Sequence, residues 1–92
     1  VYIQLSIHTP VPVHLANLVD SMHRFGAALK AQAGFMSTGV FTTDDGRLIG
    51  MTLWESEAAY LAGRLAGREA IAHDPLDHWE AKEIIGLSGS EV

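Results

Sequence analysis

Cysteine is absent from this chain, which excludes a disulfide framework, a thiolate nucleophile and zinc-knuckle ligation. Basic residues are scarce too: six lysines and arginines stand against eleven acids, for a formal net charge of -5. Those six, Arg24, Lys30, Arg47, Arg64, Arg68 and Lys82, are scattered along the chain and form no stripe. An acidic surface of this kind repels phosphate backbones and anionic lipid, so neither nucleic acid nor a membrane is expected as a partner. No apolar run approaches the ~18 residues that would suggest a membrane span. Val1 to Ile7 alternates apolar with polar residues and carries no basic leader, so it reads as a strand and not as an export signal. A cytoplasmic location is the expectation. Also missing are a P-loop, a dinucleotide-binding glycine pattern, a Gly-x-Ser-x-Gly elbow and an EF-hand loop, and no cofactor is expected.

What remains is a chain of 92 residues, rich in apolar side chains and without repeat, low-complexity tract or linker. Residues 1–92 are therefore expected to form a single domain. At that size the core is thin, because a small domain buries a smaller share of its unfolded surface than a large one does. Self-association would relieve the shortage.

The first strand is legible in its period of two. Val1, Ile3, Leu5 and Ile7 share one side of it and Tyr2, Gln4, Ser6 and His8 the other. Pro10 and Pro12 stop the ladder, and Pro12 suits the first turn of a helix. Leu15, Leu18, Val19, Met22, Phe25 and Leu29 then recur at three- and four-residue steps, which predicts an amphipathic helix of about five to six turns. Gly34 is expected to end it.

Two β-prone stretches, Phe35 to Thr43 and Arg47 to Trp54, flank Asp44-Asp45-Gly46, an expected tight hairpin. Ser56 stands where a helix N-cap belongs, ahead of an alanine-rich segment carrying Tyr60, Leu61 and Leu65. Gly63 and Gly67 predict a break or kink in that helix, with Arg68 to His73 as a further short turn. A last strand is expected over Ala81 to Leu87, and a frayed tail from Ser88. The order strand, helix, strand, strand, helix, strand predicts an α+β fold of the ferredoxin-like βαββαβ kind, an antiparallel four-stranded sheet with two helices on one face. The other sheet face has no cover within the chain, which points to a homodimer.

Ala33-Gly34-Phe35, the Asp-Gly hairpin, and Trp54-Glu55-Ser56-Glu57-Ala58-Ala59-Tyr60 together carry a resemblance. Over nearly its whole length the chain resembles the antibiotic-biosynthesis-monooxygenase family of dimeric α+β barrels. The resemblance implies a cofactor-independent monooxygenase acting on a small phenol or quinol, with Trp54 and Tyr60 holding the substrate and its developing anion. It departs from the family's pattern at two places. Gly50 stands where an asparagine usually precedes the tryptophan by four residues, and Asp74 falls near the position of an expected arginine. A non-catalytic dimer with the same ligand pocket is the alternative.

The heme-degrading branch of the same superfamily places a histidine about where His73 falls, so the resemblance also offers His73 as a heme ligand. That branch has a tryptophan at the position of Gly63. In the oxygenase reading, the substrate itself supplies the electrons, and His73 or His8 is the expected proton acceptor, with Tyr60 and the Trp54 indole as donors to the anion. His73, Asp74, Asp77 and His78 crowd within six residues, but Pro75 forces a turn among them and their spacing fits no standard ligand pattern, so no metal is expected. Trp79 is expected to pack over an edge or across a dimer boundary.

Overall fold

The computed structural model describes residues 1–92 throughout. The strands are β1 (Tyr2–His8), β2 (Phe35–Thr42), β3 (Leu48–Trp54) and β4 (Ile85–Ser90); the helices are α1 (Leu15–Leu29), α2 (Glu57–Ala70) and the short α3 (Leu76–Trp79). The four strands form one antiparallel sheet in the order β2-β3-β1-β4, which is the ferredoxin-like α+β arrangement. Both long helices lie on one face. No helix is long and apolar enough to cross a membrane.

The chain enters α1 through a single 3-10 turn, Pro12–His14, so the helix proper starts later than proline placement suggests and ends at Leu29 rather than at Gly34. Residues 30 to 34 are turns instead, and Gly34 takes φ 80 just before β2, a value for which glycine is the natural residue. The hairpin between β2 and β3 closes as expected through Asp44-Asp45-Gly46. Its Asp45 carboxyl is pushed down to about 2 by the Thr43 hydroxyl and then by Arg47.

The helix α2 starts where its cap lies: the Ser56 Oγ accepts the Ala59 N–H at 3.1 Å, and Glu57 sits in the positive first turn. It then runs unbroken through Gly63 and Gly67, contrary to the kink that two glycines predict. Both are buried, and the reason is space. A Cβ on Gly63 would lie 2.7 Å from the Trp54 ring, and one on Gly67 would lie 2.8 Å from the Phe25 ring. Two aromatic rings fill the volume that side chains would need. Packing against them offsets the helix propensity, which disfavours glycine by only about 1 kcal/mol per residue.

The last strand also differs from its expected span. It begins at Ile85 rather than Ala81 and continues to Ser90, because Ser88, Gly89 and Ser90 pair with Gln4, Ile3 and Tyr2. The supposed frayed tail is therefore hydrogen-bonded sheet, and Glu91 adds an N–H to the Val1 carbonyl at 2.8 Å.

Register assigns the faces of the sheet. Paired antiparallel residues project to the same side, so Tyr2, Gln4, Ser6 and His8 share a face with Trp54, Thr52, Gly50 and Leu48. This is the face beneath the helices. Trp54 is fully buried there, with Tyr2 and Leu29 in the core and Phe25, Phe35, Ala59 and Tyr60 packed around them. The more apolar side of β1 is the one turned away: Ile3, Leu5 and Ile7 align with Leu53, Met51 and Ile49, and on the flanking strands with Leu87, Ile85 and Phe41. Phe41, Ile85 and Leu87 are each half exposed, at 52%, 51% and 54%.

Candidate active site

Between the sheet and the two long helices lies a cavity of about 260 Å³. Its floor includes Ser6 and His8 from β1 and Thr52 and Trp54 from β3, and its roof includes Phe25 from α1 and Tyr60 from α2. A polar half of β1 under an aromatic roof follows from the period of two, because Gln4, Ser6 and His8 must all face the helices once Tyr2 does.

The aromatic wall is built around the Trp54 ring. Phe35 meets it nearly edge-on, at 5.4 Å between centroids and 84°, and Tyr60 does the same from α2, at 6.0 Å and 73°. Tyr2 lies 5.4 Å from Tyr60, and the Arg64 guanidinium sits 5.5 Å from the Tyr60 ring centre. The Trp54 indole N–H donates to the Thr52 Oγ1 at 3.0 Å. Burial of an indole requires such a partner. Since Thr52 accepts that bond, its own hydroxyl proton is free to point elsewhere.

At the other part of the floor, three side chains form a chain of hydrogen bonds. His8 Nδ1 lies 2.6 Å from Glu80 Oε2, and His8 Nε2 lies 2.8 Å from Ser6 Oγ. The His8 and Glu80 side chains are only 9% and 6% exposed. Because an ionised carboxylate only accepts, the proton on Nδ1 is directed at Glu80, and Nε2 of the neutral ring is left to accept from the Ser6 hydroxyl. The order hydroxyl, imidazole, carboxylate follows from that assignment of the tautomer.

Glu80 reaches this position by backbone pairing of its segment with the end of β1. Val11 N–H donates to the Trp79 carbonyl at 2.8 Å, Ala81 N–H to the Thr9 carbonyl at 2.7 Å, and Pro10 and Glu80 form an isolated bridge. The second carboxylate oxygen of Glu80 accepts the Thr9 N–H at 3.2 Å. Trp79, on the outside of this clasp, is half-buried and lies 6.5 Å from the His14 ring.

Gly50 faces Ser6 across the β1–β3 ladder. A Cβ at position 50 would lie 2.7 Å from Ser6 Oγ and 3.1 Å from the Met22 methyl. The room that an asparagine would need is thus taken by the serine hydroxyl and the methionine.

Of the residues singled out from the sequence, Trp54, Tyr60 and His8 come together around the cavity, and His73 does not. His73 is exposed in the turn after α2 and is not part of the cavity wall. Its neighbour Asp74 ties that turn to α1, accepting from Arg24 at 2.7 Å while Arg24 also donates to Asp20 at 2.8 Å. The Asp74 carboxyl is held below the ordinary range by the adjacent Ser21 hydroxyl and by Arg24. Ser21 Oγ reaches no partner with hydrogen-bond geometry, so it acts as a nearby dipole and Arg24 makes the bond. Sequence reasoning did not single out Ser6 or Glu80. Ser6 was within reach, two residues from His8 on the same strand face, whereas nothing local marks Glu80.

At the level of sequence, no family model and no curated protein matches this chain. Solved structures do. Rv0793 from Mycobacterium tuberculosis superposes with a TM-score of 0.84 at 14% identity, over 99% of this chain and 94% of that one. A crystal structure of an antibiotic biosynthesis monooxygenase gives a TM-score of 0.79 at 9% identity, over 100% and 99%. The monooxygenase from the gene ActVA-Orf6 of Streptomyces coelicolor, in complex with the ligand Nanaomycin D, gives 0.77 at 18% identity, over 99% and 87%. At such identities the likeness is one of fold, and the fold of this chain is that of the antibiotic biosynthesis monooxygenases.

Proposed function

We propose that the chain is a homodimeric, cofactor-independent oxygenase of a small phenol or quinol, with His8 as the base that takes the substrate's hydroxyl proton. The observation that carries this reading is the buried hydrogen-bond chain Ser6, His8, Glu80 opening onto an aromatic-lined cavity. A histidine ring nitrogen serves as a general base when it lies within reach of the proton, and the proton can pass from substrate to Nε2 directly or through the Ser6 hydroxyl. Trp54 and Tyr60 hold the ring, and the hydroxyls of Tyr60 and Thr52 are the donors available to the developing phenolate. The Trp54 N–H is occupied by Thr52, so its effect on that anion passes through the threonine.

The phenolate is the electron donor. Where a ring carbon ortho or para to the phenolate oxygen carries hydrogen, one oxygen atom of O2 is added there and the other leaves as water; a phenol then gives a quinone and a hydroquinone gives a hydroxyquinone. The protein's contribution is orientation, removal of the proton and stabilisation of the anion. A volume of about 260 Å³ suits a substrate of one or two rings.

The dimer is part of the proposal. Nine apolar side chains, from Ile3 to Leu87, share the sheet face that no helix covers, and a patch of that composition is usually an interface. Two-fold pairing of these faces encloses it.

An oxygen electrode with a panel of naphthols and hydroquinones tests the activity. Uptake above the uncatalysed rate that disappears in His8→Ala is expected. Ligand binding without oxygen uptake supports instead a non-catalytic binding module, a reading favoured by Gly50 in place of asparagine. A Soret shift with hemin that is lost in His73→Ala supports the heme reading, although His73 stands on the surface.

A further inference from the structure

The charged side chains that line the cavity itself are of one sign, the Glu80 carboxylate lying behind His8. Besides His8 and the Tyr60 phenol, the ionisable residues in its wall are Arg64 and Arg68, one turn apart on α2, and no aspartate or glutamate lines it. This is unusual in a chain with eleven acids and a net charge of -5. The other two arginines have found carboxylates: Arg24 pairs with Asp20 and Asp74, and Arg47 with Asp45. Arg64 and Arg68 form no ion pair with any side chain of this protein.

Each has an ordinary structural role available. Arg64 covers the Tyr60 ring, and Arg68, in the last turn of α2, faces the helix's negative end. Neither role uses the guanidinium's forked donors, and neither requires both side chains to border the same cavity. Arg64 is half-buried and Arg68 exposed, which puts Arg64 deeper and Arg68 at the mouth. Contact with the Tyr60 ring also restrains the Arg64 side chain, so less of its freedom is lost when it binds an anion.

We infer that the ligand of this cavity carries a carboxylate, bound by Arg64 with Arg68 at the rim, while its hydroxyl end lies toward Ser6 and His8. The inference deepens the proposed function by naming the substrate class as acid-bearing phenols. Planar forked donors match a carboxylate in two parallel hydrogen bonds. With no acid in the wall to compete, an incoming carboxylate meets unpaired positive charge in a partly enclosed, low-dielectric site. A neutral phenol of the same size gains none of this.

Calorimetric titration of the intact protein with 6-hydroxy-2-naphthoate, whose two groups stand at opposite ends of the ring system, and with 2-naphthol tests the inference without any turnover, so it is decided separately from the oxygenase reading. The acid is expected to bind at least tenfold more tightly than the naphthol. Arg64→Gln should remove most of that preference, Arg68→Gln a smaller part, and the double variant all of it. Arg64→Lys should restore part of it. Rising salt should weaken the acid and spare the naphthol. Circular dichroism verifies that the variants are folded, which is expected because neither arginine has an ion-pair partner to lose. Equal affinities in the wild type, or a preference that survives in the double variant, would overturn the inference. So would binding of the naphthol alone.

Discussion

His8 Nδ1 and Glu80 Oε2 lie 2.6 Å apart, although seventy-two positions separate the two residues in the chain. The contact orients the imidazole, because the carboxylate holds the Nδ1 proton and leaves Nε2 facing Ser6. Glu80→Gln can satisfy the same ring with its amide reversed, donating to Nδ1 and moving the ring proton to Nε2. The expected result is a fall in turnover of about 10²-fold or more with little change in KM, since general-base catalysis contributes on that scale. Steady-state oxygen uptake measures it. Glu80→Ala goes further and leaves the His8 Nδ1 and the Thr9 N–H without partners, at about 1–3 kcal/mol for each buried group, which urea unfolding reads.

Gly63 offers a test of sign. On an exposed helix, glycine to alanine stabilises by up to about 1 kcal/mol. Here the new Cβ would meet the Trp54 ring at 2.7 Å, and overpacking costs about 1–3 kcal/mol. Gly63→Ala is therefore expected to lower the urea midpoint, and Trp54 emission should shift as the ring is displaced. A raised midpoint would mean that the ring yields at no cost.

The acid limb of stability should report Asp74. Its carboxyl titrates lower in the folded protein than its ordinary value of 3.8, owing to Ser21 and Arg24. A depressed folded value makes the unfolded chain the better proton binder, so the stabilisation is complete above the ordinary value and is lost as pH falls through the depressed one. Urea midpoints of wild type and Asp74→Asn should differ by a constant amount above about pH 5, and the difference should shrink as pH falls below the ordinary value of 3.8 and close only below the depressed one. A difference that grows on acidification contradicts the assignment.

Leu87→Asp and Phe41→Asp place a charge on the open sheet face at positions that are half exposed in the single chain. Each should leave the fold intact and convert the protein to a monomer by light scattering at micromolar concentration. A wild type that is itself monomeric would remove the interface argument, and the homodimer with it.

Much of this fold is visible in local patterns. The alternation from Val1 to His8, the Asp-Gly turn and the Ser56 cap each act over a few residues, and each predicts an element that the protein contains. The aromatic half of the site was legible in the same way, since Trp54 and Tyr60 stand at a strand end and in the first turn of the next helix, where packing of one element on the other brings them together. Tertiary structure decided the rest. An unbroken α2 depends on rings from β3 and α1 that fill the space beside Gly63 and Gly67. The extent of β4 depends on hydrogen bonds from β1, which hold Ser88 to Ser90 in the sheet despite their weak strand propensity. Which face of β1 meets the helices is also a tertiary outcome. Alternation separates Ile3, Leu5 and Ile7 from Gln4, Ser6 and His8, yet the helices cover the more polar set and leave the apolar set open. The union of His8 with Glu80 is the clearest case, because it is made by backbone pairing between segments at opposite ends of the chain, and a glutamate carries no local mark of the strand it will meet.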